Sequence, residues 1–306
     1  MSGSKNRPLW CQLRASTRAA VEQLIGGSVV HARNCSGGYS PGFASLLTLM
    51  DGRQVFVKAM DAERWPVDAA YHRVEAKVSA ALPATVPAPR LLGTLDDDDW
   101  VVLAFEAIDG VEPCQPWNDT DLHRVVTAIV RLGQVATPSP IALPRDHPRL
   151  GGWTEVARDD AQLAELARHS TWAMDHIAQL IRLESDGVAA ARGDSLVHFD
   201  LSPHNILLTP NRVMFIDWPH ARLGASAVDL IMILSSADDR IDRDSILNTN
   251  ADLEPQAVDA ILAAHAGFQL RGGVSPKPLG LEAIAAIDLR LGLAALSWLH
   301  RRLSTR

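Results

Sequence analysis

The sequence predicts an α+β fold of two lobes, a small antiparallel sheet followed by a mainly helical part. Three observations support this prediction. Strand-like alternation recurs up to residue 105, helical apolar spacing dominates after residue 110, and one β-like island at residues 196–218 interrupts the helices. We therefore assign residues 1–106 to an N-terminal lobe and residues 107–306 to a C-terminal lobe.

The N-terminal lobe begins with a helix, predicted over residues 14–25 because apolar residues recur at helical spacing until Gly26-Gly27 terminates it. Strands are expected at residues 29–34, 44–50, 54–59, 90–95 and 100–105, and a second helix at residues 67–82. Asp51-Gly52 is a hairpin signal, and the proline-rich residues 86–89 follow the helix and end it. The strands make a small sheet that carries the helix at residues 67–82, and the helix at residues 14–25 precedes the sheet.

The C-terminal lobe shows helical periodicity on both sides of the β-like island. Helices are expected at residues 120–135, 155–169 and 172–186 before the island, and at residues 227–235, 255–270 and 281–303 after it. Within the island, a turn that contains Asn211 separates two short apolar segments, which predicts a β-hairpin.

The composition of the 306-residue chain excludes several classes of protein. With 47% hydrophobic and 21% charged residues the chain is ordinary for a folded protein, and its formal charge of −7 argues against nucleic acid as a partner. The three cysteines, Cys11, Cys35 and Cys114, form no metal-binding or disulfide pattern. No uninterrupted apolar run is long enough to cross a bilayer. We expect a cytoplasmic protein with no membrane segment and no obligatory protein partner.

The densest group of polar residues runs from His198 to Asn205, inside the β-like island. Counting outward from Asn211 puts Asn205 and Asp217 at symmetric positions, so the predicted hairpin brings the two side chains face to face. Amide and carboxylate oxygens are hard ligands suited to Mg²⁺ bound together with phosphate. Asp200 is then left to receive a proton from a hydroxyl group.

These residues resemble the signature of the aminoglycoside phosphotransferase and choline kinase-like family, which has a protein-kinase-like fold. The signature reads His198-x-Asp200-x-x-x-x-Asn205, followed by Ile216-Asp217-Trp218. The resemblance implies that Asp200 is the catalytic base or orients the hydroxyl, and that Asn205 and Asp217 bind Mg²⁺. It also implies that Asp229 steadies the catalytic loop. The alternatives are a turn residue for Asn205 and a helix N-cap for Asp229.

A lysine in the third predicted strand completes the resemblance. Lys58 ends the alternating segment Val55-Phe56-Val57-Lys58 and resembles the family's strand lysine, which pairs with the α and β phosphates of the nucleotide. Glu75, on the helix that follows, is the expected partner of Lys58, because its spacing places it on the inward face. Glu63 is the rival partner and is less well placed.

Two further segments of the N-terminal lobe resemble nucleotide-binding parts of this family. The loop that contains Ser36, Gly37 and Gly38 resembles the one whose backbone N–H groups approach phosphate oxygens, although a plain hairpin turn uses the same residues. Phe105 and Ala107 lie where the lobes join, and the family binds the adenine ring there through backbone atoms.

The departures from protein kinases indicate a small-molecule substrate. Phe199 replaces the arginine of the HRD triplet, Trp218 follows the metal-binding aspartate, and no segment resembles APE. We expect an O-phosphotransferase that uses ATP or GTP with Mg²⁺ and phosphorylates a hydroxyl group, first of an aminoglycoside-type or other antibiotic. A metabolic kinase of an amino alcohol, sugar or secondary metabolite is the alternative. A non-catalytic kinase-like protein is the third interpretation, but it would be expected to lack Lys58, Asp200 or Asp217.

The sequence does not identify which residues contact the acceptor. Acidic candidates for a cationic antibiotic are Glu155, Asp159, Asp160, Asp238 and Asp239. Aromatic candidates for stacking on a sugar or a choline-like cation are Trp117, Trp153 and Trp172. Solvated helix faces explain the acids equally well, and core packing explains the tryptophans better.

Overall fold

The computed structural model describes residues 7–35, 41–97, 99–276 and 282–305. The chain divides into two compact units. One contains the described residues of Met1–Pro113 together with His204–His220, and the other contains those of Cys114–Pro203 and Ala221–Arg306. The lobe boundary predicted after residue 106 stays a prediction.

The described residues form nine strands and eleven α-helices. The strands are β1 (Val29–Asn34), β2 (Phe43–Leu49), β3 (Gln54–Asp61), β4 (Leu91–Asp96), β5 (Trp100–Glu106), β6 (Ser195–Val197), β7 (Ile206–Leu208), β8 (Val213–Phe215) and β9 (Arg222–Gly224). The helices are α1 (Ala15–Ile25), α2 (Pro66–Ala81), α3 (Asp119–Val135), α4 (Trp153–Ala157), α5 (Asp160–His169), α6 (Thr171–Asp175), α7 (Ile177–Ala190), α8 (Val228–Ser235), α9 (Arg243–Asn250), α10 (Pro255–Val274) and α11 (Glu282–Ser304).

The first unit is built on an antiparallel sheet with the strand order β1-β2-β3-β5-β4. Side chains alternate between its two faces, as a strand requires. On one face Val57 joins a core cluster with Val21 of α1. On the other face Met60 and Leu103 pack with Ala69 of α2. The alternation of β3 therefore places Lys58 on the same face as Met60, toward α2.

The hairpin β7–β8 lies in the second half of the sequence but packs with the first unit. Leu208 exchanges backbone hydrogen bonds with Val111, at 2.7 and 3.0 Å, and the Phe215 N–H donates to the Pro87 carbonyl at 2.7 Å. The predicted symmetric register of this hairpin is wrong by one residue. The count about Asn211 pairs residue 209 with Val213, whereas the structure pairs Leu208 with Val213. The chain therefore reverses through a tighter turn than the count assumes. A one-residue slip of this kind changes which side chains share a face.

The second unit is helical, with α10 buried along most of its length. Helices α7 and α10 approach closely at Gly187, where an added Cβ would lie 2.1 Å from the Ala260 carbonyl oxygen. By length and composition alone, α11 is the one helix of the described chain that could span a bilayer, with a mean hydropathy of 1.3. Core helices of globular proteins share this composition, so the expected absence of a membrane segment stays a prediction.

Two predicted helices are each split in the structure. The helix expected at residues 155–169 breaks at Asp159, whose backbone is extended and whose carboxylate accepts hydrogen bonds from the N–H groups of Ala161 and Gln162. Such a cap starts a new helix where apolar periodicity alone predicts continuity. The second split falls at His176, between α6 and α7. Strand β9 and helix α9 were not predicted.

A buried carboxylate anchors the start of α4. Glu184 of α7 accepts hydrogen bonds from the backbone N–H groups of Gly152 and Trp153, at 2.7 and 2.8 Å, and from the N–H and hydroxyl of Thr154, at 3.2 and 2.8 Å. These are orphan donors at a helix N-terminus, where a negative charge is favourable. Glu184 therefore holds the segment that begins α4 against α7.

Replacing Glu184 with Ala should destabilise the protein strongly. The buried N–H groups would lose their acceptor, and the expected loss in free energy of unfolding is about 2–5 kcal/mol, measured by chemical denaturation. Glu165→Ala, at a glutamate on α5 that pairs with the nearby Arg168 and His169, is the matched control and should change stability little. Equal, small losses for both variants would contradict the anchoring role.

Candidate active site

The first unit holds a buried ion pair between its sheet and its helix α2. The Lys58 ammonium lies 2.5 Å from the Glu75 carboxylate, and the two side chains are 14% and 3% exposed. The predicted partner of Lys58 is thereby confirmed. The rival, Glu63, lies exposed in the connection between β3 and α2.

A second carboxylate completes this group. Lys58 also donates a hydrogen bond to Asp217, at 2.8 Å. Asp217 follows β8 with a left-handed backbone, φ 67°, which is uncommon for a residue other than glycine and is often a mark of functional constraint. Its side chain is 45% exposed, in contrast to the buried Glu75. The arrangement therefore has a structural carboxylate on one side of the ammonium and an accessible one on the other.

The two carboxylates keep Lys58 charged. Burial by itself would lower the pKa of the ammonium, but the attraction of Asp217 and Glu75 outweighs burial, and the pKa of Lys58 is raised above its ordinary value. Burial also raises the pKa of Glu75 to about 7, against the attraction of Lys58. At physiological pH Lys58 is thus a fixed positive charge, suited to binding an anion such as phosphate.

Asn205 and Asp217 are the predicted metal ligands. Asn205 accepts a backbone hydrogen bond from the Ile216 N–H at 3.0 Å, so it lies opposite Ile216 and not opposite Asp217 as the symmetric count assumed. The left-handed backbone of Asp217 then breaks the regular alternation of side chains. Among the described residues no group of three or more His, Cys, Asp and Glu side chains is arranged to hold a metal ion. An amide and one carboxylate still fit Mg²⁺, which usually takes few protein ligands besides water and phosphate.

In the second unit the predicted catalytic residue is paired with an arginine. Arg149 donates from Nη2 to Asp200 Oδ1 at 2.6 Å, and both side chains are 23% exposed. Arg149 was not among the residues predicted from the sequence, because it lies in an irregular segment 51 residues before Asp200 and belongs to no motif. Neither its type nor its position carries a signal that a sequence pattern could reveal.

Asp229 of α8 holds the loop that carries Asp200. The Asp229 carboxylate accepts hydrogen bonds from the backbone N–H groups of His198 and Phe199, at 2.8 and 3.0 Å. Phe199 has a left-handed backbone, φ 61°, and these bonds help to hold that strained conformation. The expected steadying role of Asp229 is confirmed. The N-cap alternative is wrong, since Ala227 is the N-cap of α8.

The remaining nucleotide-binding predictions are not tested. Ser36, Gly37 and Gly38 lie outside the described residues, in the connection between β1 and β2. Phe105 is buried near the end of β5, and the Lys58 ammonium lies 5.9 Å from the centre of its ring. Contacts of Phe105 and Ala107 with adenine stay predictions.

The acidic candidates for acceptor binding mostly have partners of their own. Glu155 pairs with Arg271 at 3.3 Å, Asp238 with Arg240 at 2.5 Å, and Asp239 with Arg243 at 2.8 Å and also with Arg301. Asp159 is the N-cap of α5, and Asp160 occupies its first turn. Arginine side chains therefore offset much of the negative charge of these candidate residues, which were predicted to bind a polycation.

Two of the three tryptophans are core residues. Trp117 and Trp153 are buried, and their ring N–H groups donate to Ser236 and Ala263 at 2.9 and 2.7 Å. Trp172 stacks against the rings of His176 and His300. Core packing is thus confirmed for Trp117 and Trp153.

Comparison with known proteins identifies relatives across most of the chain. The model of a family described as the phosphotransferase enzyme family matches residues 32–276. No curated protein matches.

Solved structures resemble the fold. A choline/ethanolamine kinase family protein from Mesorhizobium loti has a TM-score of 0.57 at 15% identity, covering 94% of this chain and 97% of its own. A putative fructosamine-3-kinase from Thermobifida fusca has a TM-score of 0.54 at 20% identity, with 92% and 99% covered. A mutant aminoglycoside phosphotransferase in complex with AMP-PNP and hygromycin B has a TM-score of 0.59 at 14% identity, with 94% and 99% covered. The expected α+β, protein-kinase-like fold is confirmed.

Asp229→Asn should destabilise the protein in a pH-dependent way. Burial raises the pKa of Asp229 to about 7, so the stability that this group provides is full below its ordinary pKa of about 4 and falls as the pH rises through about 7. Asn does not titrate and can accept only one of the two N–H bonds. The loss should be about 1–3 kcal/mol at pH 4 and should shrink toward pH 7, measured by denaturation at each pH.

Asp160→Asn, at an exposed aspartate, is the control and should lack this trend. A loss at Asp229 that is constant or grows with pH would contradict the assignment.

Proposed function

Because this chain belongs to the phosphotransferase enzyme family, we propose that it transfers the γ-phosphate of ATP or GTP to a hydroxyl group of a small molecule. It is a kinase-type phosphotransferase with a protein-kinase-like fold. The observation that carries the proposal is the Lys58 ammonium, held by buried Glu75 at 2.5 Å and by accessible Asp217 at 2.8 Å. This is a fixed charge beside an oxygen ligand, as phosphate and its metal require.

Lys58 binds the nucleotide phosphates in this proposal, and Glu75 holds the ammonium in position. Asn205 and Asp217 would hold Mg²⁺, which neutralises phosphate charge when bound. Because Asp217 already contacts Lys58, one side chain would link the lysine to the metal-binding position. A structurally similar phosphotransferase forms a complex with AMP-PNP, which supports a nucleoside triphosphate as the donor.

Asp200 aligns the acceptor hydroxyl. The hydroxyl oxygen forms a bond to the γ-phosphorus, the bond from that phosphorus to the leaving diphosphate breaks, and the hydroxyl proton passes to the Asp200 carboxylate. Most of the rate acceleration in such a transfer comes from positioning and electrostatic stabilisation. The hydrogen bonds from Asp229 that hold the strained loop are thus part of the machinery, because they determine where Asp200 lies.

An aminoglycoside-type or other antibiotic is the first candidate acceptor. Its support is the fold shared with an aminoglycoside phosphotransferase that forms a complex with hygromycin B. A metabolic hydroxyl compound is the second candidate. It is favoured by the arginine partners of Glu155, Asp238 and Asp239, which leave less negative charge for a polycation.

A substrate screen tests both candidates. The purified protein is incubated with ATP or GTP and Mg²⁺ and with aminoglycosides, macrolides, peptide antibiotics, choline and sugars. Nucleotide consumption and the mass of the phosphorylated product are then measured. Turnover with an antibiotic is the expected result of the first candidate, and turnover with metabolites alone would exclude it. An absence of nucleotide binding and consumption would overturn the proposed function.

Asp200→Ala and Lys58→Met should separate the two roles. Asp200→Ala should lower turnover at least about 100-fold with nucleotide affinity largely intact, because in this proposal Asp200 contacts the acceptor hydroxyl and not the nucleotide. Lys58→Met should weaken nucleotide binding, measured by calorimetry with AMP-PNP and Mg²⁺. The control is Asp194→Ala, at an exposed aspartate that pairs with Arg145. Near-normal turnover of Asp200→Ala would refute the assignment.

A further inference from the structure

An arginine near the start of the chain lies in the same unit as Lys58, Glu75 and Asp217, which we call the Lys58 cluster. Arg7 donates a hydrogen bond from Nη1 to the Cys35 carbonyl at 3.1 Å, and the bond is partly buried. Cys35 directly follows β1. The contact therefore ties the segment that precedes α1 to the end of the first strand.

Strand pairing places Cys35 level with Lys58. The Cys35 N–H donates to the Ala44 carbonyl at 3.0 Å, and Ala44 is the register partner of Lys58 on β3. Residues opposite one another on antiparallel strands share a face of the sheet. Neighbouring strands lie about 4.8 Å apart, so the residue that holds Arg7 is about 10 Å from the Lys58 backbone. The long arginine side chain is thus held at the level of the Lys58 cluster.

Electrostatics connects Arg7 to the accessible carboxylate of the cluster. Burial lowers the pKa of Arg7, and attraction by Cys35 and Asp217 acts against this shift. The guanidinium keeps its proton, because the ordinary pKa of arginine lies far above neutral pH. The positive charge of Arg7 is therefore close enough to Asp217 to interact with it.

Aromatic packing anchors the segment that carries Arg7. Trp10 packs against Phe43, the first residue of β2, with ring centres 5.9 Å apart. Leu13 is buried in the core cluster that includes Phe43. Arg7 lies only three residues before Trp10, so its backbone is held near the sheet. A cation held in this way loses less entropy on binding a ligand than one on a loose terminus.

The charge balance of the Lys58 cluster gives Arg7 a function. One ammonium and two carboxylates carry a net charge of −1 when both carboxylates are ionised, which by itself disfavours an anion. Burial raises the pKa of Glu75 to about 7, so this condition is met above pH 7. Arg7 cancels the excess negative charge. With the side chains neutral together, the charge of a bound metal is left to attract phosphate.

We propose that Arg7 is a further nucleotide-binding residue, whose positive charge strengthens the binding of the phosphate groups beside Lys58. The proposal rests on the proposed kinase function and adds a residue that the family resemblance does not supply, because the family match covers residues 32–276. Arg7 acts through its charge across the site, and no direct hydrogen bond to phosphate is required.

Variants that change the charge test the proposal. Arg7→Met removes the charge at similar length, Arg7→Gln removes it but can still donate to the Cys35 carbonyl, and Arg7→Lys keeps it. Binding of AMP-PNP with Mg²⁺, and of adenosine, is measured by calorimetry at pH 8 and low ionic strength. Both uncharged variants should bind AMP-PNP about five- to tenfold more weakly, the scale of one nearby charge in a partly screened site. Adenosine binding should be unchanged, and Arg7→Lys should keep most of the AMP-PNP affinity.

Two controls separate charge from structure. Arg14→Met removes the same charge from an exposed arginine that pairs with Asp99 at 3.0 Å, and it should leave both affinities unchanged. Salt is the second control, because an electrostatic effect of Arg7 should shrink at about 0.5 M NaCl. Circular dichroism and thermal melting show whether each variant is folded. The glutamine variant keeps the test valid if the methionine variant is unfolded.

Three results would overturn the role of Arg7. One is an unchanged AMP-PNP affinity in the uncharged variants, and another is a loss that salt does not reduce. The third is an equal loss of adenosine and AMP-PNP, which would make Arg7 only a structural residue. If the wild-type protein binds AMP-PNP, these results leave the kinase function intact. An absence of nucleotide binding by the wild-type protein overturns both proposals.

Discussion

The ammonium of Lys58 between two carboxylates is the interaction on which the first unit depends. Glu75 is buried and holds the charge in position, while Asp217 is accessible and can share its oxygens with a ligand. A buried carboxylate without its cation would be strongly destabilising, so the sheet, helix α2 and the hairpin β7–β8 must arrange these groups together. The sheet does so through the alternation of β3, and the hairpin through its backbone bonds to Val111 and Pro87.

In the second unit hydrogen bonds, and not an ion pair, hold the loop that carries Asp200. Phe199 and Asp217 are the two non-glycine residues with a left-handed backbone in the described chain, and both lie in the kinase-like motif. Strained residues persist where the surrounding structure holds them, and such residues cluster at functional sites. For Phe199 that support comes from Asp229, a buried carboxylate that accepts the loop N–H groups. The strain is thus compensated at the point where Asp200 must be placed.

Several acidic side chains of the second unit are paired with arginines. Acidic residues suited to a polycation are offset by Arg240, Arg243 and Arg271, and Asp200 is paired with Arg149. A family whose members act on different acceptors can share one set of residues for the nucleotide and differ in the helical part. In this chain the motif residues are the ones proposed to hold the phosphate and its metal, and the paired arginines lie outside the motif.

The amino-acid sequence by itself determined what depends on near neighbours along the chain. Apolar periodicity located most strands and helices to within a few residues. The strand pattern placed Lys58 in β3, helical spacing placed Glu75 on the inward face of α2, and the motif predicted roles for Asp200 and Asp217. The tertiary structure decided what depends on distant residues and on backbone detail. The register of the hairpin, off by one from the count, follows from how tightly the chain turns at its tip. The pairing of Arg149 with Asp200 joins residues 51 positions apart, and the arginines that offset the acids lie up to 116 positions away. Local patterns carry no information about such pairings, because only packing brings those side chains together.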